Sequence, residues 1–550
     1  MVPFSQSTRQ VVLDGVQTPL WDLIIVGGGI TGAGVLRDAA TRGMRVLLLE
    51  KNDFSSGTSS KSSKLIHGGL RYLKQFHFGL TREACLERNL LARNNPHLVE
   101  PLPFLLPIYR GDKDGAMVVN LAMWTYEILS GFRNHKRFKM LTAQQCLEMA
   151  PDLKQEGLRS GAFYYDAWVD DSRLVLESIK AGVREGGQAL SQVEVTGLRK
   201  NAEGQVTGVF ARDILADKNY EISAHVVLNA TGTWVDSLRN MDRTGSSQVV
   251  RPTKGVHIIV SHSRIRQNPT LAFPAVQDHR LLFSIPQDDV IILGTTDTDF
   301  DGNKDEVTAT AEDVKYLLDA TNHIFPGANL TEADIISSYA GLRPLIAGPA
   351  DADPSSVSRE HEIFQDPSGL ISVAGGKLTT YRLMAKELTN LVKKRLPRGE
   401  RKRLRKASTA GPITGTIVDV AGEHKRLAND GLAKVVATHL IKTYGPDVAQ
   451  VLELAEGMVD GRAPLVQGQG YIRAEVTYAV RFESALHLSD VLTRRLRMAL
   501  WSPGQGLAAA ETVSHIMAAE LGWSDERRRA ELSDYQQTVY THHRPITNPL

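Results

Sequence analysis

The chain has 550 residues but only two cysteines, Cys85 and Cys146. A cysteine-ligated iron–sulfur cluster needs about four thiolates, so this class of redox centre is excluded. Two cysteines so far apart do not indicate a disulfide framework, and their small number favours a reducing compartment. An excess of charge of one sign is missing as well, since the sequence contains 64 basic and 62 acidic residues. A surplus of +2 gives no overall attraction to nucleic acid, and no nucleic-acid partner is expected.

Long hydrophobic runs are absent. The apolar run 101–109 contains prolines and is far shorter than the ~20 residues that a membrane span needs. The polar segment 1–19 lacks the apolar core of a signal peptide, so neither a signal nor a transmembrane helix is expected. The sequence contains no internal repeat, no low-complexity tract and no carboxylate loop with calcium-binding spacing. We predict no metal site, and we expect the pair His542-His543 to be exposed.

The chain is long enough for about three domains at roughly 100–200 residues each. Hydrophobic residues make up 42% of the sequence and charged residues 23%, which is ordinary for a globular protein with a sizeable core.

The first ordered part of the sequence predicts a βαβ unit. The run 21–26 is a short, β-branched apolar strand, the segment 30–42 has helical composition, and the run 44–50 is a second strand. Between the first strand and the helix, Gly27 to Gly32 fits the pattern G-x-G-x-x-G. This combination is typical of a dinucleotide-binding domain.

Each part of this pattern has a physical role. Gly27 permits the tight turn, Gly29 lets the backbone approach a pyrophosphate, and Gly32 lets helix and strand pack closely. The pyrophosphate then lies at the helix N-terminus, where Ile30 and Thr31 begin the first turn. Glu50 ends the second strand about 20 residues later, where its carboxylate suits the ribose hydroxyls. The pattern alone does not separate FAD from NAD.

Two later segments favour FAD. The segment 226–232 is an apolar strand that ends in a turn of small residues, and the segment 373–382 is a strand, a glycine pair and a helix start. A second helix N-terminus near the cofactor suits the electron-rich end of a reduced flavin. Contacts from the start, middle and late part of the chain imply an extended, deeply buried dinucleotide.

The remaining sequence indicates further elements and a linker. Strands are predicted at 206–210, 256–260 and 290–293, and helices at 311–324 and 377–394. The densest charge run, 393–406, contains Pro397 and Gly399, so we predict a linker there. The favoured interpretation is a solvated connection, and the alternative is a patch for anionic lipid at roughly 1 kcal/mol per basic residue. Beyond the linker the sequence is mainly helical, including the segment 475–500.

Several segments together resemble the FAD-dependent glycerol-3-phosphate dehydrogenase family. They are 25–43, which contains the glycine fingerprint, and 62–73, 251–257, 294–299, 340–345, 375–385 and 479–495. The likeness extends from residue 21 to about residue 522.

The resemblance implies an α/β fold with a glutathione-reductase-like FAD-binding Rossmann domain, an antiparallel-sheet substrate domain and an α-helical C-terminal domain. The first two domains are expected to interleave over 20–394, with FAD parts at about 20–90, 160–255 and 335–394 and substrate parts at about 91–159 and 256–334. The basic linker then spans 395–408 and the helical domain 409–535.

The resemblance also implies a reaction and partners. The enzyme would oxidise sn-glycerol 3-phosphate to dihydroxyacetone phosphate by hydride transfer from C2 to N5 of FAD, and pass the electrons to a membrane quinone. It would be cytoplasmic and peripheral at the inner face of the cell membrane, and a homodimer is allowed because members are often dimers.

The residues expected to bind FAD lie in four parts of the chain. They are Gly27, Gly29, Ile30, Thr31, Gly32, Glu50 and Lys51; Thr58, Ser59, Ser62, Lys64, His67, Gly68 and Gly69; Val195, Ala230, Thr231 and Gly232; and Gly376, Lys377, Leu378 and Thr379. Lys377 is expected to neutralise the N1–O2 region of the reduced flavin, or else to contact substrate.

Phosphate recognition without a glycine-rich loop needs arginine or lysine. The substrate-binding candidates are Arg71, Tyr72, Lys254, Arg343 and Arg359. Arg343 lies in an apolar stretch, between Leu342 and Pro344, where a merely solvated charge is unusual.

Oxidation also needs a base for the C2 hydroxyl, and a histidine suits neutral pH. His257 is the first candidate and His67 the second, with Arg343 stabilising the developing alkoxide.

Three rival functions remain. The nearest is a glycerol-3-phosphate oxidase, which would pass its electrons to O₂ and make hydrogen peroxide. The second is an amine or amino-acid oxidase of similar architecture, which would need a carboxylate clamp. The third is a non-catalytic flavin-binding or redox-sensing protein. The anaerobic branch of the family carries a cysteine-rich extension, and the mitochondrial branch carries a calcium-binding domain, and neither is found here.

Overall fold

The computed structural model describes residues 3–74, 76–243, 245–347 and 360–544, and within these ranges the side chains of Arg71 and Lys74 are outside the description. The strands, in chain order, are β1 (Trp21–Val26), β2 (Val46–Leu49), β3 (Leu65–Ile66), β4 (Val99–Tyr109), β5 (Lys139–Thr142), β6 (Leu158–Val169), β7 (Gln188–Leu190), β8 (Val193–Lys200), β9 (Val206–Asp213), β10 (Lys218–Asn229), β11 (Val250–Ser261), β12 (Thr270–Pro274), β13 (Leu281–Gln287), β14 (Val290–Gly294), β15 (Thr298–Asp299), β16 (Ile335–Ile346), β17 (His361–Gln365) and β18 (Ile371–Gly375).

The helices are α1 (Gln6–Gly15), α2 (Ile30–Thr41), α3 (Leu70–Lys74), α4 (Phe78–Asn94), α5 (Ala116–Leu129), α6 (Ala143–Met149), α7 (Asp171–Arg184), α8 (Val235–Asp242), α9 (Ala311–Ile324), α10 (Tyr381–Arg395), α11 (Arg398–Arg403), α12 (Val420–Asn429), α13 (Lys434–Tyr444), α14 (Val448–Glu456), α15 (Ala474–Phe482), α16 (Met498–Trp501), α17 (Leu507–Leu521) and α18 (Asp525–His542). A π-helical turn, Asp490–Arg495, lies between α15 and α16.

The first sheet has the strand order β17-β18-β10-β1-β2-β7, and β8 and β9 extend β10 as an antiparallel ribbon. Strands β18, β10, β1, β2 and β7 pair in parallel. Every residue of β1 is buried, because α2, α7 and α10 cover one face and the apolar residues of the β8–β10 ribbon cover the other. The predicted βαβ unit is confirmed, with Leu23 of β1 opposite Val46 of β2.

The second sheet has the order β15-β11-β14-β13-β12-β4-β6-β3, with β16 paired to β11 and β5 to β6. Its pairings are antiparallel apart from β4 with β12. The apolar run 101–109 forms part of the long strand β4. One face of this sheet packs on α6 and α9, which bury Val256, Ile258 and Val260 of β11 in the largest apolar cluster. Side chains alternate along β11, so His257 lies on the opposite face.

The C-terminal part is helical, and two apolar clusters fill α12–α15 and α15–α18. The segment 475–500 is mainly helical, as predicted, but it is not one continuous helix. Helix α15 ends at Phe482, Ser484 and Arg497 both have positive φ, and the chain between them contains the π-helical turn. The break turns three arginines, Arg494, Arg495 and Arg497, toward the buried carboxylates of Asp53 and Asp171.

The predicted linker is tied to the first sheet. Arg403 Nη1 donates to the carbonyl of Gly43 at 2.7 Å and its guanidinium also pairs with buried Asp22. Arg405 donates to the carbonyl of Thr41 and pairs with Glu185 at 2.7 Å. Part of the charge run therefore caps the C-terminal end of α2, where carbonyls favour cations.

The expectation that His542 and His543 are exposed is wrong. His543 is buried, and its carbonyl accepts a hydrogen bond from the amide of Ser338 on β16 at 3.0 Å. His542 is half-buried. The end of α18 docks on the second sheet, a long-range contact that sequence spacing does not reveal. Within the described ranges, no helix is long and apolar enough to cross a bilayer, and no cluster of His, Cys, Asp and Glu has metal-site geometry.

Candidate active site

A cleft of about 330 Å³ lies at the carboxyl ends of β1, β2, β10 and β18. This is the edge of a parallel sheet where ligands bind in open α/β folds. The cleft brings together three parts of the chain that the sequence places far apart. Its lining includes the predicted residues Gly27, Gly29, Ile30, Thr31, Glu50, Lys51, Thr58, Ser59, Ser62, Val195, Ala230, Thr231, Gly232, Gly376, Lys377 and Leu378.

The glycine turn leaves no room for side chains. Gly27 has φ of 112°, and a Cβ there would lie 2.6 Å from the carbonyl oxygen of Ala230. A Cβ on Gly32 would collide with the carbonyl of Gly27. Ser59 Oγ accepts the amide of Ile30 at 3.0 Å, which binds this serine to the first turn of α2, and Ile30 and Thr31 line the cleft.

Glu50 is fixed at the rim of this turn. Its carboxylate accepts the amide of Gly28 at 2.7 Å and the amide of Asn52 at 2.9 Å. Burial raises the pKa of Glu50 above its ordinary value, and the two amide hydrogen bonds oppose that shift. Lys51 beside it pairs with Asp305 at 3.0 Å and lies over the ring of Trp234.

The segment 58–69 crosses between the two sheets. Thr58 Oγ1 donates to the carbonyl of Leu342 at 2.6 Å. Ser62 donates its amide and hydroxyl to Asp171 at 3.1 and 2.7 Å, and Lys64 pairs with the same carboxylate at 3.1 Å. Burial lowers the pKa of Lys64 to about 8, and Arg497 adds to the effect. Lys64 thus belongs to a buried ion cluster behind the cleft, not to its lining.

The end of this segment joins other elements. The amide of His67 donates to Thr379 Oγ1 at 3.3 Å, which links the segment to the start of α10. The amide of Gly68 donates to the hydroxyl of Tyr126 on α5 at 2.9 Å, and Gly69 has φ of 76°. These residues surround the cleft without lining it.

His257 lies on the face of β11 that is turned toward the segment 58–69. Its Nε2 is 2.8 Å from Ser63 Oγ, and its ring stacks on Tyr339 of β16 at 4.6 Å between centroids. The back of the ring rests against the backbone of Gly294, where a Cβ would collide with it. Burial lowers the pKa of His257 well below 6.5, and the cations of Arg343 and Lys64 lower it further. The imidazole is therefore neutral at neutral pH.

Arg343 lies beside His257 on the same face. Its guanidinium donates to Asp297 Oδ1 at 2.9 Å, to Thr295 Oγ1 at 2.9 Å and to the carbonyl of Thr296 at 3.0 Å. Gly255 makes room for it, because a Cβ there would collide with the guanidinium. The arginine is held at a fixed orientation and keeps its charge beside the histidine.

The other substrate candidates are distributed differently. Lys254 pairs with Asp313 of α9 at 2.5 Å, on the face of β11 opposite to His257. Tyr72 is buried, and Lys377 Nζ lies 3.7 Å from the centroid of its ring. Arg359 and the side chain of Arg71 lie outside the described residues.

Sequence reasoning missed several residues of the site. Ser63 and Tyr339 contact the predicted base, Asp171 holds Ser62, and Trp234 and Met241 line the cleft. A signal was available for Ser63 alone, because it stands between two predicted cofactor residues. The others come from helices and strands distant in sequence.

The residues present fit an extended dinucleotide. A Cβ at Gly27, Gly28 or Gly32 would collide with neighbouring atoms. The first turn of α2 lines the cleft at Ile30 and Thr31, and Glu50 presents an oriented carboxylate. The cleft also extends beyond these groups to Gly376 and Lys377. This other end of the cleft is where the ring system of the dinucleotide would be held.

Known proteins match the chain along its whole length. Residues 22–391 match the family described as FAD dependent oxidoreductase, and residues 384–528 match the family described as C-terminal domain of alpha-glycerophosphate oxidase. The aerobic glycerol-3-phosphate dehydrogenase of Staphylococcus aureus is 36% identical over 544 residues, which cover 96% of each chain.

Solved structures agree with this match. The glycerol-3-phosphate dehydrogenase from Bacillus halodurans complexed with FAD has a TM-score of 0.81 and 31% identity, over 99% of this chain and 100% of that one. An L-alpha-glycerophosphate oxidase from Mycoplasma pneumoniae has a TM-score of 0.55 and 17% identity, over 72% of this chain and 98% of that one. The second likeness concerns the fold alone.

Proposed function

This chain belongs to the FAD-dependent glycerol-3-phosphate dehydrogenase family, and we propose that it oxidises sn-glycerol 3-phosphate to dihydroxyacetone phosphate and passes the electrons to a membrane quinone. Its cofactor is FAD. One observation carries the proposal: a neutral histidine and a fixed arginine, His257 and Arg343, share one face of β11 and β16 beside the cofactor segment 58–69.

FAD, when bound, supplies the N5 atom that accepts a hydride. The protein must remove the proton of the C2 hydroxyl and orient the phosphate. His257 is the base in this proposal, since its lowered pKa keeps the imidazole free to take a proton. Arg343 lies close enough to His257 to stabilise negative charge on the oxygen, and Lys377 serves the flavin or the substrate.

The amino-acid oxidase alternative is less well supported. A phosphate carries more charge than a carboxylate and calls for more than one cation. Arg343 and Lys377 are both held near the segment 58–73, and Arg71 and Arg359 remain candidates for the same phosphate.

A surface on α5 supports a membrane acceptor. The outward stripe of this helix is apolar and exposed, at Met117 (86% exposed), Val118, Leu121 and Ile128, whereas Val119, Met123 and Tyr126 are buried on the other face. Phe132, just beyond the helix, is also exposed. Exposed apolar patches of this kind mark protein or membrane contacts.

Basic residues follow this apolar stripe. Arg133, Lys136, Arg137 and Lys139 are exposed, and the guanidinium of Arg137 lies 4.9 Å from the ring centroid of Trp124 on α5. An apolar helix face bordered by cations suits the interface of an anionic bilayer. We therefore propose α5 and residues 130–139 as the membrane-facing surface, at the inner face of the cell membrane.

The finer architecture is proposed as well. The parallel sheet is assigned to a glutathione-reductase-like FAD domain, the largely antiparallel sheet to a substrate domain and the helices after residue 408 to a C-terminal domain. The domain boundaries and a homodimer stay predictions.

The first test is anaerobic stopped-flow bleaching of the flavin band by sn-glycerol 3-phosphate, followed by reoxidation with a soluble quinone or with O₂. Rapid bleaching, fast reoxidation by quinone and slow reoxidation by O₂ are expected. Fast reoxidation by O₂ would favour the oxidase, and no bleaching would rule out the substrate.

The second test addresses the surface on α5. The wild-type protein is expected to sediment with vesicles that contain phosphatidylglycerol and to reduce a quinone dissolved in them. The double variant Met117→Glu, Leu121→Glu is expected to lose both properties, because each carboxylate would have to enter the bilayer interface. The control Val459→Glu changes a residue that is 91% exposed in the helical part. Equal sedimentation of all three proteins would contradict this surface.

A further inference from the structure

The base of the proposed reaction is almost fully buried, and one of its ring nitrogens contacts a neighbouring side chain. The side chain of His257 is buried, with 2% of the residue exposed. Its ring is enclosed between Tyr339 and the backbone of Gly294. The Nδ1 atom is buried as well and has no hydrogen-bond partner among the described residues. The Nε2 atom is engaged by Ser63 Oγ at 2.8 Å.

Ser63 itself is only half-buried, and it stands directly after Ser62, which lines the cofactor cleft. The two neighbours of Ser63 are held by one carboxylate, because Asp171 accepts from Ser62 and pairs with Lys64. Tyr339, which stacks on the histidine, also donates its hydroxyl to the carbonyl of Ser62 at 3.0 Å. The backbone on both sides of Ser63 is therefore fixed, and its hydroxyl is held against the histidine.

We propose that Ser63 is a further catalytic residue, which relays the proton of the substrate C2 hydroxyl to His257. This proposal rests on the function proposed above. The substrate O–H bond breaks as its proton moves to Ser63 Oγ, and the Ser63 proton moves to His257 Nε2. FAD, when bound, would accept the C2 hydride, so that the C2–O bond would become a carbonyl. Ser63 begins and ends as a neutral hydroxyl, and the histidine ends as an imidazolium.

The proposed relay requires one tautomer of His257. A relay toward Nε2 requires its lone pair to face Ser63, so the hydrogen is on Nδ1 before the reaction. Arg343 then has a second effect, since its cation stabilises the substrate oxygen but opposes the imidazolium. The imidazolium must therefore lose its proton quickly after each turnover.

The test is anaerobic flavin reduction by sn-glycerol 3-phosphate in the FAD-loaded variants Ser63→Ala and Ser63→Thr. Ser63→Ala is expected to reduce flavin about 10²–10⁴-fold more slowly, the range lost with a proton-transfer residue. Ser63→Thr keeps a hydroxyl and is expected to recover at least about a tenth of the wild-type rate. Ser261→Ala, at the half-buried last residue of the same strand β11, is the control for a serine change outside the site.

Two further measurements separate a relay from a packing effect. In mixtures of H₂O and D₂O the wild-type rate should fall along a curve, since two protons move in one step. The double variant Ser63→Ala, His257→Asn should be no slower than His257→Asn alone, because the two residues act as a unit.

The outcomes are distinguishable. If the wild-type flavin is not bleached by sn-glycerol 3-phosphate, the proposed function fails and the relay with it. If the wild type is bleached and Ser63→Ala is equally fast, the relay is wrong and the function stands. If Ser63→Thr is as slow as Ser63→Ala, or the isotope dependence is linear, the hydroxyl is not a relay.

Discussion

At the scale of single residues, the site depends on a few charges whose orientation is fixed by neighbours. The roles of His257 and Arg343 stay predictions, but the place of the glycine turn and Glu50 at the cleft was predictable from residue type and local pattern. The ring stacking of Tyr339 on His257, and the pairing of Lys254 with Asp313 on the far face of β11, were not. Those contacts depend on strand register, which a single sequence does not specify.

Arg343 provides one prediction at this scale. The substitution Arg343→Gln should lower kcat/KM for sn-glycerol 3-phosphate by about 10²–10³-fold, because a fixed cation beside the reacting oxygen is lost. Steady-state kinetics with a soluble quinone measure this. Arg266→Gln removes a surface arginine whose side chain is 72% exposed and should stay near wild type. Equal kinetics for both variants would contradict a catalytic or binding role for Arg343.

Glu50 provides a second prediction at the scale of single residues. The substitution Glu50→Gln should weaken FAD binding by about 10–100-fold, since hydrogen bonds to a charged group contribute about 1.5–3 kcal/mol. The loss has a local part too, because the amide NH₂ would face the N–H of Gly28 or of Asn52. Recovery of flavin fluorescence on dilution measures FAD release, with the exposed Glu203→Gln as the control. Unchanged retention of FAD in Glu50→Gln would separate this carboxylate from the cofactor.

At the scale of elements, sequence patterns identified most of the strands near the cleft and the helix α9 over the predicted range 311–324. They failed where a tertiary contact overrides local preference. Asp490 and Arg494, four residues apart, form the i,i+4 ion pair of an ordinary helix at 2.7 Å. The turn is π-helical, however, and Arg494 also pairs with buried Asp53, 441 positions away.

The ion pairs of Asp53 attach the C-terminal helical part to the segment that follows β2. Its carboxylate receives Arg494 and Arg495, and Arg495 Nη2 also donates to the carbonyl of Glu483 at 2.7 Å. Asp53→Asn should destabilise the protein by about 3–5 kcal/mol, because it removes the carboxylate that pairs with buried Arg495 and one of the two carboxylates that pair with Arg494. Thermal unfolding followed by flavin fluorescence measures this change.

The control for that measurement is Asp305→Asn. Asp305 pairs with Lys51 across a surface where half of the carboxylate side chain is exposed, and such pairs contribute about 0–1 kcal/mol. Similar unfolding temperatures for both variants would mean that the ion cluster around Asp53 does not hold the two parts together.

At the scale of the whole molecule, stability should depend on pH through buried histidines. Burial lowers the pKa of His97 to about 4 and that of His543 to about 3, and holds the pKa of His257 well below 6.5. In the unfolded chain these groups take up protons below about pH 6.5, whereas in the folded protein they remain neutral. The unfolded state therefore binds more protons, and stability falls as the pH drops below about 6.5.

Each such histidine changes the free energy of unfolding by at most about 1.4 kcal/mol per pH unit. The substitution His543→Gln should therefore flatten the decline of unfolding temperature between pH 6 and pH 4. The matched control, His515→Gln, changes a histidine whose side chain is 61% exposed and should leave the slope as it is. An identical slope in His543→Gln would show that His543 is protonated without unfolding.

The first sheet is built from strands that are distant in sequence, and this affects how the protein folds during synthesis. Strand β1 pairs with β10, which pairs with β18, and these strands are drawn from residues 21–26, 218–229 and 371–375. At roughly 5–20 residues per second of synthesis, β18 follows β1 by about 20–70 s. During that time the nascent chain presents an unfinished sheet edge and a half-built cleft. FAD is therefore captured late, and the cell must protect the growing chain from aggregation until most of it has left the ribosome.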